Sequence, residues 1–141
     1  MKRLIPNANV KSLLERSDLP ISDLESCQSL KLYGIEDGDL VQGTVGYELY
    51  GQDILLRSLA VDQSLRGTGL GRELVCQAEM LAKQDGAETA WLLTTTAEAF
   101  FAANGYSRVG RESAPESIKE TSQFSSLCPA SSAFMCKRLV A

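Results

Sequence analysis

The stretch Leu59-Ala60-Val61-Asp62-Gln63-Ser64-Leu65-Arg66-Gly67-Thr68-Gly69-Leu70-Gly71-Arg72 constrains this chain more than any other. A strand-like apolar run ends at Val61 and a turn-rich loop follows. From Leu70 the residues Leu70, Leu74, Ala78 and Leu81 fall on one helical stripe. A strand that runs through a glycine-spaced loop into a helix is a layout for holding an anion. Glycines at 67, 69 and 71 let the backbone approach a ligand closely and take φ > 0 where required. The free N–H groups of the first helical turn point at that ligand, and the helix dipole favours negative charge there. Arg66 and Arg72 flank the loop and reinforce it within a chain of net charge −4. Spacing excludes two phosphate sites. A P-loop needs a Lys after its last glycine, and G-x-G-x-x-G needs Gly where Arg72 stands.

Composition narrows the chemistry further. The chain has no histidine, which excludes Ser-His-Asp and Cys-His nucleophiles, His-ligated metals and His proton shuttles. A pI near 4.9 argues against a general nucleic-acid binder. Cys27, Cys76, Cys128 and Cys136 form no CxxC pair, so no metal site is expected. The N-terminus has no apolar signal core, and no run is long enough to span a bilayer. These features predict a cytoplasmic protein with reduced thiols and no membrane partner. Length suits one domain over residues 1–141.

The pattern along the chain predicts a mixed α/β sheet. Leu4-Ile5 reads as a first short strand, Asn9 as the cap of a helix burying Val10, Leu13 and Leu14, and Ser22 to Glu25 as a capping box opening a second short helix. Leu30 to Tyr33 reads as a strand. Val45, Tyr47 and Leu49 alternate with small or polar residues, which marks a half-buried strand over Val41 to Tyr50. Gly51-Gln52 turns into a second, more apolar strand, Ile54 to Val61. After the helix, which Gly86 ends, come a strand at Thr89 to Thr95, a helix from Ala97 to Asn104-Gly105, and a strand at Tyr106 to Arg111. Residues 113–132 read as an ordered, partly helical excursion, and Phe134 to Leu139 as a closing strand.

The R-G-x-G-x-G form of the loop resembles the acetyl-CoA pyrophosphate loop of the GNAT superfamily of N-acetyltransferases. A second segment agrees: Thr94, Ala97, Phe100, Phe101, Gly105 and Tyr106 occupy in order the places of that family's N-x-x-A-x-x-L-Y-x-x-x-G-F motif. The resemblance covers about residues 40–139. The end of the chain, with Ile118, Phe124 to Pro129 and Met135, resembles more narrowly the GNAT proteins associated with arsenic-resistance operons. The resemblance implies antiparallel N-terminal strands followed by a splayed parallel pair at the fourth and fifth strands. It implies that pantetheine pairs with the backbone of Leu59, Ala60 and Val61, and that pyrophosphate sits on Arg66, Gly67, Thr68, Gly69, Leu70, Gly71 and Arg72. It also implies a backbone N–H of the fourth strand at the oxyanion.

Thr94 replaces the motif's Asn, and both of the family's usual catalytic positions also depart. Arg57 stands where many members carry a catalytic Glu, and Phe101 where they carry a Tyr acid. A two-residue turn at Gly51-Gln52 pairs Tyr50 with Asp53 and sets Glu48 opposite Leu55, with Arg57 diagonal on the same face. Glu48 is therefore a candidate base, Arg57 a candidate clamp for a substrate carboxylate, and Tyr106 a candidate acid. The other reading of Glu48 and Arg57 is a surface ion pair, and that of Tyr106 is core packing. The expected activity is acetyl transfer from acetyl-CoA to a small amine, amino-acid-like or arsenical, by a monomer or homodimer. The competing expectation is a catalytically lapsed acyl-CoA-binding module that acts as sensor or partner.

Overall fold

A computed structural model describes residues 1–140. Seven strands form one sheet: β1 Lys2–Arg3, β2 Leu30–Asp37, β3 Leu40–Tyr50, β4 Asp53–Val61, β5 Thr89–Thr94, β6 Ser107–Arg108 and β7 Ala133–Arg138. Their order is β1-β2-β3-β4-β5-β7-β6, with β4–β5 the parallel pair. The helices are α1 Ala8–Arg16, α2 Leu70–Gln84, α3 Glu98–Ala103 and the single turn α4 Glu116–Lys119.

The alternation in β3 and β4 sorts their side chains between two faces. Val45, Tyr47, Ile54 and Leu56 meet α2 through Leu74, Val75 and Ala78. Leu74 is fully buried, and removing such a side chain from water contributes ~1.5–3 kcal/mol. On the other face α1 packs Val10, Leu13 and Leu14 against Leu30 and Leu32. Beside it Ile118 of the excursion packs on Leu55 and Phe134. The sheet is therefore covered on both sides, and ligand access is left to its strand ends.

Local differences from the sequence reading have physical causes. Asn7, not Asn9, caps α1: its Oδ1 accepts from Val10 N at 3.0 Å, and its backbone is extended as a cap requires. Strand β1 ends at Arg3, and Leu4 follows as a buried residue whose N–H donates to Leu32 O at 2.8 Å. Residues 22–25 form turns, not a helix, because Asp23 faces the sheet and bonds Arg57. Strand β6 shrinks to two residues, since a 3-10 turn begins at Arg111. The excursion is ordered as expected, with α4 and a wide helical turn over Gln123–Leu127.

Candidate functional site

The loop after β4 is built around open amides. Asp62 Oδ2 accepts from Ser64 N at 3.1 Å and from the Ser64 hydroxyl, and these bonds hold its carboxyl below the usual range. Thr68 Oγ1 donates to Leu65 O at 2.6 Å. Gly67 (φ 80°) and Gly69 (φ 88°) both lie in the left-handed region, and a Cβ on either would meet nothing within 4 Å. Conformation, not crowding, therefore requires glycine at both. Gly69 caps α2 without a side-chain bond, and the first recorded bond of that turn is Glu73 N to Gly69 O at 3.1 Å. The amides of Leu70, Gly71 and Arg72 have no partner within the helix. Gly71 packs instead: its Cβ would sit 3.5 Å from Phe100 Cζ and 3.6 Å from Val61 Cγ2. Arg66 and Arg72 are exposed at either side.

Strands β4 and β5 pair only at Asp53–Thr89, Ile54–Ala90 and Leu55–Trp91. Beyond Leu55 they separate, leaving the β5-facing backbone of Leu56 to Val61 without a strand partner. On its other side β4 slips register against β3 between Thr44–Ala60 and Gly46–Arg57. The extra residues form a bulge, in which Ser58 takes φ 58°. A left-handed non-glycine residue costs about 1–3 kcal/mol, and Thr44 Oγ1 helps to fix the bulge by donating to Ser58 O at 2.8 Å.

The divergence opens a cavity of about 670 Å³. Leu56, Ser58, Leu59, Leu92 and Thr94 form its floor, and Phe101 of α3 adds an apolar wall. Two remote segments close it, residues 17–22 after α1 and residues 123–132 of the excursion. Thr94 Oγ1 accepts from Ala97 N at 3.0 Å and so caps the turn into α3. Cys128 lines the cavity with a thiol that burial pushes up. Cys136, opposite Trp91 on β7, is not among the lining residues.

Arg57 reaches the cavity wall but is already engaged. The register places Glu48 opposite Leu55, as the turn requires. Arg57 Nη1 donates to Glu48 Oε2 at 2.8 Å and to Asp23 Oδ2 at 2.6 Å, and Nη2 donates to Asp23 Oδ1 at 2.6 Å. The two-pronged contact foreseen with a substrate carboxylate is thus made with Asp23. The surface pair of the other reading is in fact buried, with Glu48 at 1% exposure and Arg57 at 4%. Burial works against the Arg57 charge, but the bonds to Asp23 and Glu48 outweigh it and raise its pKa. Tyr50 donates its hydroxyl to Glu48; burial and then that contact raise the phenol. Glu48 is not among the residues lining the cavity. Oxygens of Asp23 and Glu48 and the Cys27 sulfur lie within 4.8 Å of one another, yet the Arg57 guanidinium already bridges the two carboxylates.

Tyr106 lies elsewhere. It is packed edge-on to Phe101 in the α2 core, and its hydroxyl donates to Glu79 Oε2 at 2.9 Å. Burial, followed by the Glu79 charge, pushes the phenol up. The candidate acid is therefore on the core side of Phe101 and outside the cavity lining. Sequence reasoning missed Asp23, Gln123 and Ser132. A buried Arg signals that an acid partner exists without saying which. Gln123 and Ser132 sit in a serine-rich stretch whose burial no local period reveals.

The model of the acetyltransferase (GNAT) domain family matches residues 28–108. No curated protein sequence matches the chain. Among solved structures, a GNAT-family acetyltransferase from Staphylococcus aureus Mu50 is similar at TM-score 0.71 and 19% identity, over 93% of this chain and 89% of that one. N-acetylglutamate synthase from Neisseria gonorrhoeae, in complex with coenzyme A and N-acetyl-glutamate, reaches TM-score 0.76 at 17% identity over 94% of this chain and 32% of that one. An aminoglycoside 6'-N-acetyltransferase complexed with coenzyme A reaches TM-score 0.70 at 17% identity, over 94% and 90%. These likenesses are of fold. With more than half of its length matched by the family model, the chain belongs to the acetyltransferase (GNAT) domain family.

Proposed function

We propose that the protein is an acetyl-CoA-dependent N-acetyltransferase that acts on a small amine by direct transfer. The observation that carries this reading is the junction of two open backbones: the unpaired edge of β4 beyond Leu55 and the free amides at Gly69 to Arg72. A CoA molecule fits both. Its pyrophosphate would meet the N–H groups of Leu70, Gly71 and Arg72 with Arg66 and Arg72 beside it, and its pantetheine amides would pair with Leu59 to Val61. Acetyl-CoA, when bound, supplies the thioester carbon that an amine attacks. The bulged backbone at Ser58–Leu59 offers N–H groups to the developing oxyanion.

The chain's own side chains do little proton chemistry in this proposal. Glu48 is committed to Arg57 and Tyr50, Tyr106 to Glu79, and the family's Tyr position is Phe101. Proton loss from the acceptor is left to water along the hydroxyls of Thr94, Thr95 and Thr96. The rising limb of kcat/KM against pH should then track the acceptor's own amine pKa. Two acceptors whose amines differ in pKa test this, and one limb common to both would return the base to the protein.

An amino-acid-like acceptor would need a free cation for its carboxylate, and Arg57 is occupied. An arsenical amine remains within the proposed class, supported by the resemblance of the 118–135 segment. Transfer would need no thiol, so a C128S/C136S double variant should keep it. The sensor reading is favoured by the absence of a committed acid and base. Incubation with acetyl-CoA and an amine panel separates the two: acetylated amine with equimolar free CoA supports the transferase, while tight CoA binding without product supports the sensor.

A further inference from the structure

We infer that the acceptor is a cationic amine bearing a neutral hydrogen-bonding group, such as a carboxamide or hydroxyl, and no carboxylate, and that Gln123 is the residue that reads this group. The inference rests on the transferase reading above and names its substrate class.

Polar groups as buried as Gln123 are ordinarily hydrogen-bonded. Gln123 is 4% exposed and lines the cavity; its backbone carbonyl accepts from Cys128 N at 3.0 Å. Its carboxamide makes no hydrogen bond to another described residue, at a position that lines the cavity. Ser132 Oγ is fully buried and also without a partner, at a residue shared by the cavity and a shallower recess beside Arg108 and Arg111. A carboxamide both donates and accepts, and it is satisfied by a ligand group that does the same.

Charge sets the rest of the class. Asp18, Arg57 and Cys128 are the ionisable residues among those lining the cavity. Asp18 is exposed at the rim, and the Arg57 fork is filled by Asp23 and Glu48. Arg111, packed behind the excursion, donates to Pro129 O at 3.1 Å and lies 5.1 Å over the Phe124 ring. Two carboxylates, Asp23 and Glu48, hold that guanidinium behind the wall, and Asp18 adds at the rim a negative charge unpaired among the described residues. An ammonium is favoured there, and a carboxylate would enter without a free cation. Leu19, Ile21, Leu59 and Leu127 line the remainder and suit a short aliphatic chain.

Leucinamide, leucinol, isoamylamine and leucine share one aliphatic body and differ in the group to be read. Each is offered with acetyl-CoA, acetylated product is measured by mass, and rates are referred to the neutral-amine fraction. Leucinamide should exceed leucine by at least about 100-fold in kcat/KM, because an unmatched negative charge costs several kcal/mol. It should exceed isoamylamine by about 5- to 10-fold, the worth of one hydrogen bond. Gln123→Leu should bring that second ratio near one; Gln123→Met replaces it if the first variant fails to bind CoA. Leucine turned over as well as leucinamide, or an amide preference that survives in a CoA-binding variant, overturns the inference while leaving the transferase intact. Transfer to none of the four leaves the transferase reading to the wider amine panel. Binding of the same compounds to the protein–CoA complex then decides the inference: leucinamide over leucine upholds it, and equal or reversed binding overturns it.

Discussion

In the proposed reading the donor half of the cleft is one contiguous segment, residues 59–72, which offers backbone amides to the ligand. The acceptor half is assembled from residues 17–22, the ends of β4 and β5, and residues 123–132, and its groups are side chains. The contrast follows from what each half binds. A CoA tail common to a whole family can be held by main-chain N–H groups that need only glycine and a helix start. An acceptor peculiar to one protein has to be met by side chains, and these hang on segments with no regular period.

Several substitutions sharpen this contrast. The largest effect is expected at Arg57, the one charged residue that belongs to the acceptor wall and the sheet at once. Arg57→Leu leaves Asp23 and Glu48 buried without their cation and should cost about 3–5 kcal/mol in urea unfolding. Adding Asp23→Asn and Glu48→Gln should recover part of it. A loss below about 1 kcal/mol would make the network no more than a surface pair.

Gly69→Val acts on the donor half. A β-branched residue at φ 88° costs about 1–2 kcal/mol in strain and moves the first turn of α2, so CoA affinity should fall roughly tenfold or more by calorimetry. Arg66→Ala with Arg72→Ala should be milder, a few-fold loss that shrinks as salt is raised. If that pair of changes outweighs Gly69→Val, side chains rather than backbone hold the diphosphate.

The smallest effect concerns Asp62, which fixes the start of the loop. Its folded pKa is lowered, chiefly by the Ser64 hydroxyl, so its contribution is present above the unfolded value near 3.9 and is lost as pH falls through the lowered one. Asp62→Asn should lower thermal stability slightly at neutral pH, and the difference from the unmodified protein should shrink as pH falls below about 4. A variant whose loss of stability is the same at low pH as at pH 7 would assign Asp62 a packing role.

How much of this was legible in the sequence follows the same division. Strand β3, strand β4, helix α2 and the glycine loop were readable because each has a strong local period or an obligatory turn residue. The register that sets Glu48 opposite Leu55 was readable from the Gly51-Gln52 turn. Asp23 was not, because capping-box spacing at Ser22 gave it a local role while an ion pair thirty-four positions away took it. Tyr106 stands where the family packs a Phe, which favours a core role over an acid, and Glu79 on α2 binds its hydroxyl inside the core. Gln123 lay in a polar stretch where nothing local distinguishes a solvated amide from one turned into a cavity.

The most direct test of the central claim is amide chemical-shift mapping with acetyl-CoA, with ATP at equal ionic strength as the control. The account predicts acetyl-CoA-specific shifts at Gly67 to Arg72 and along Leu56 to Val61, the two open backbones of the donor half. Shifts confined to other regions, or equal responses to ATP, would contradict it, leaving the glycine loop a structural turn and the cleft without its donor.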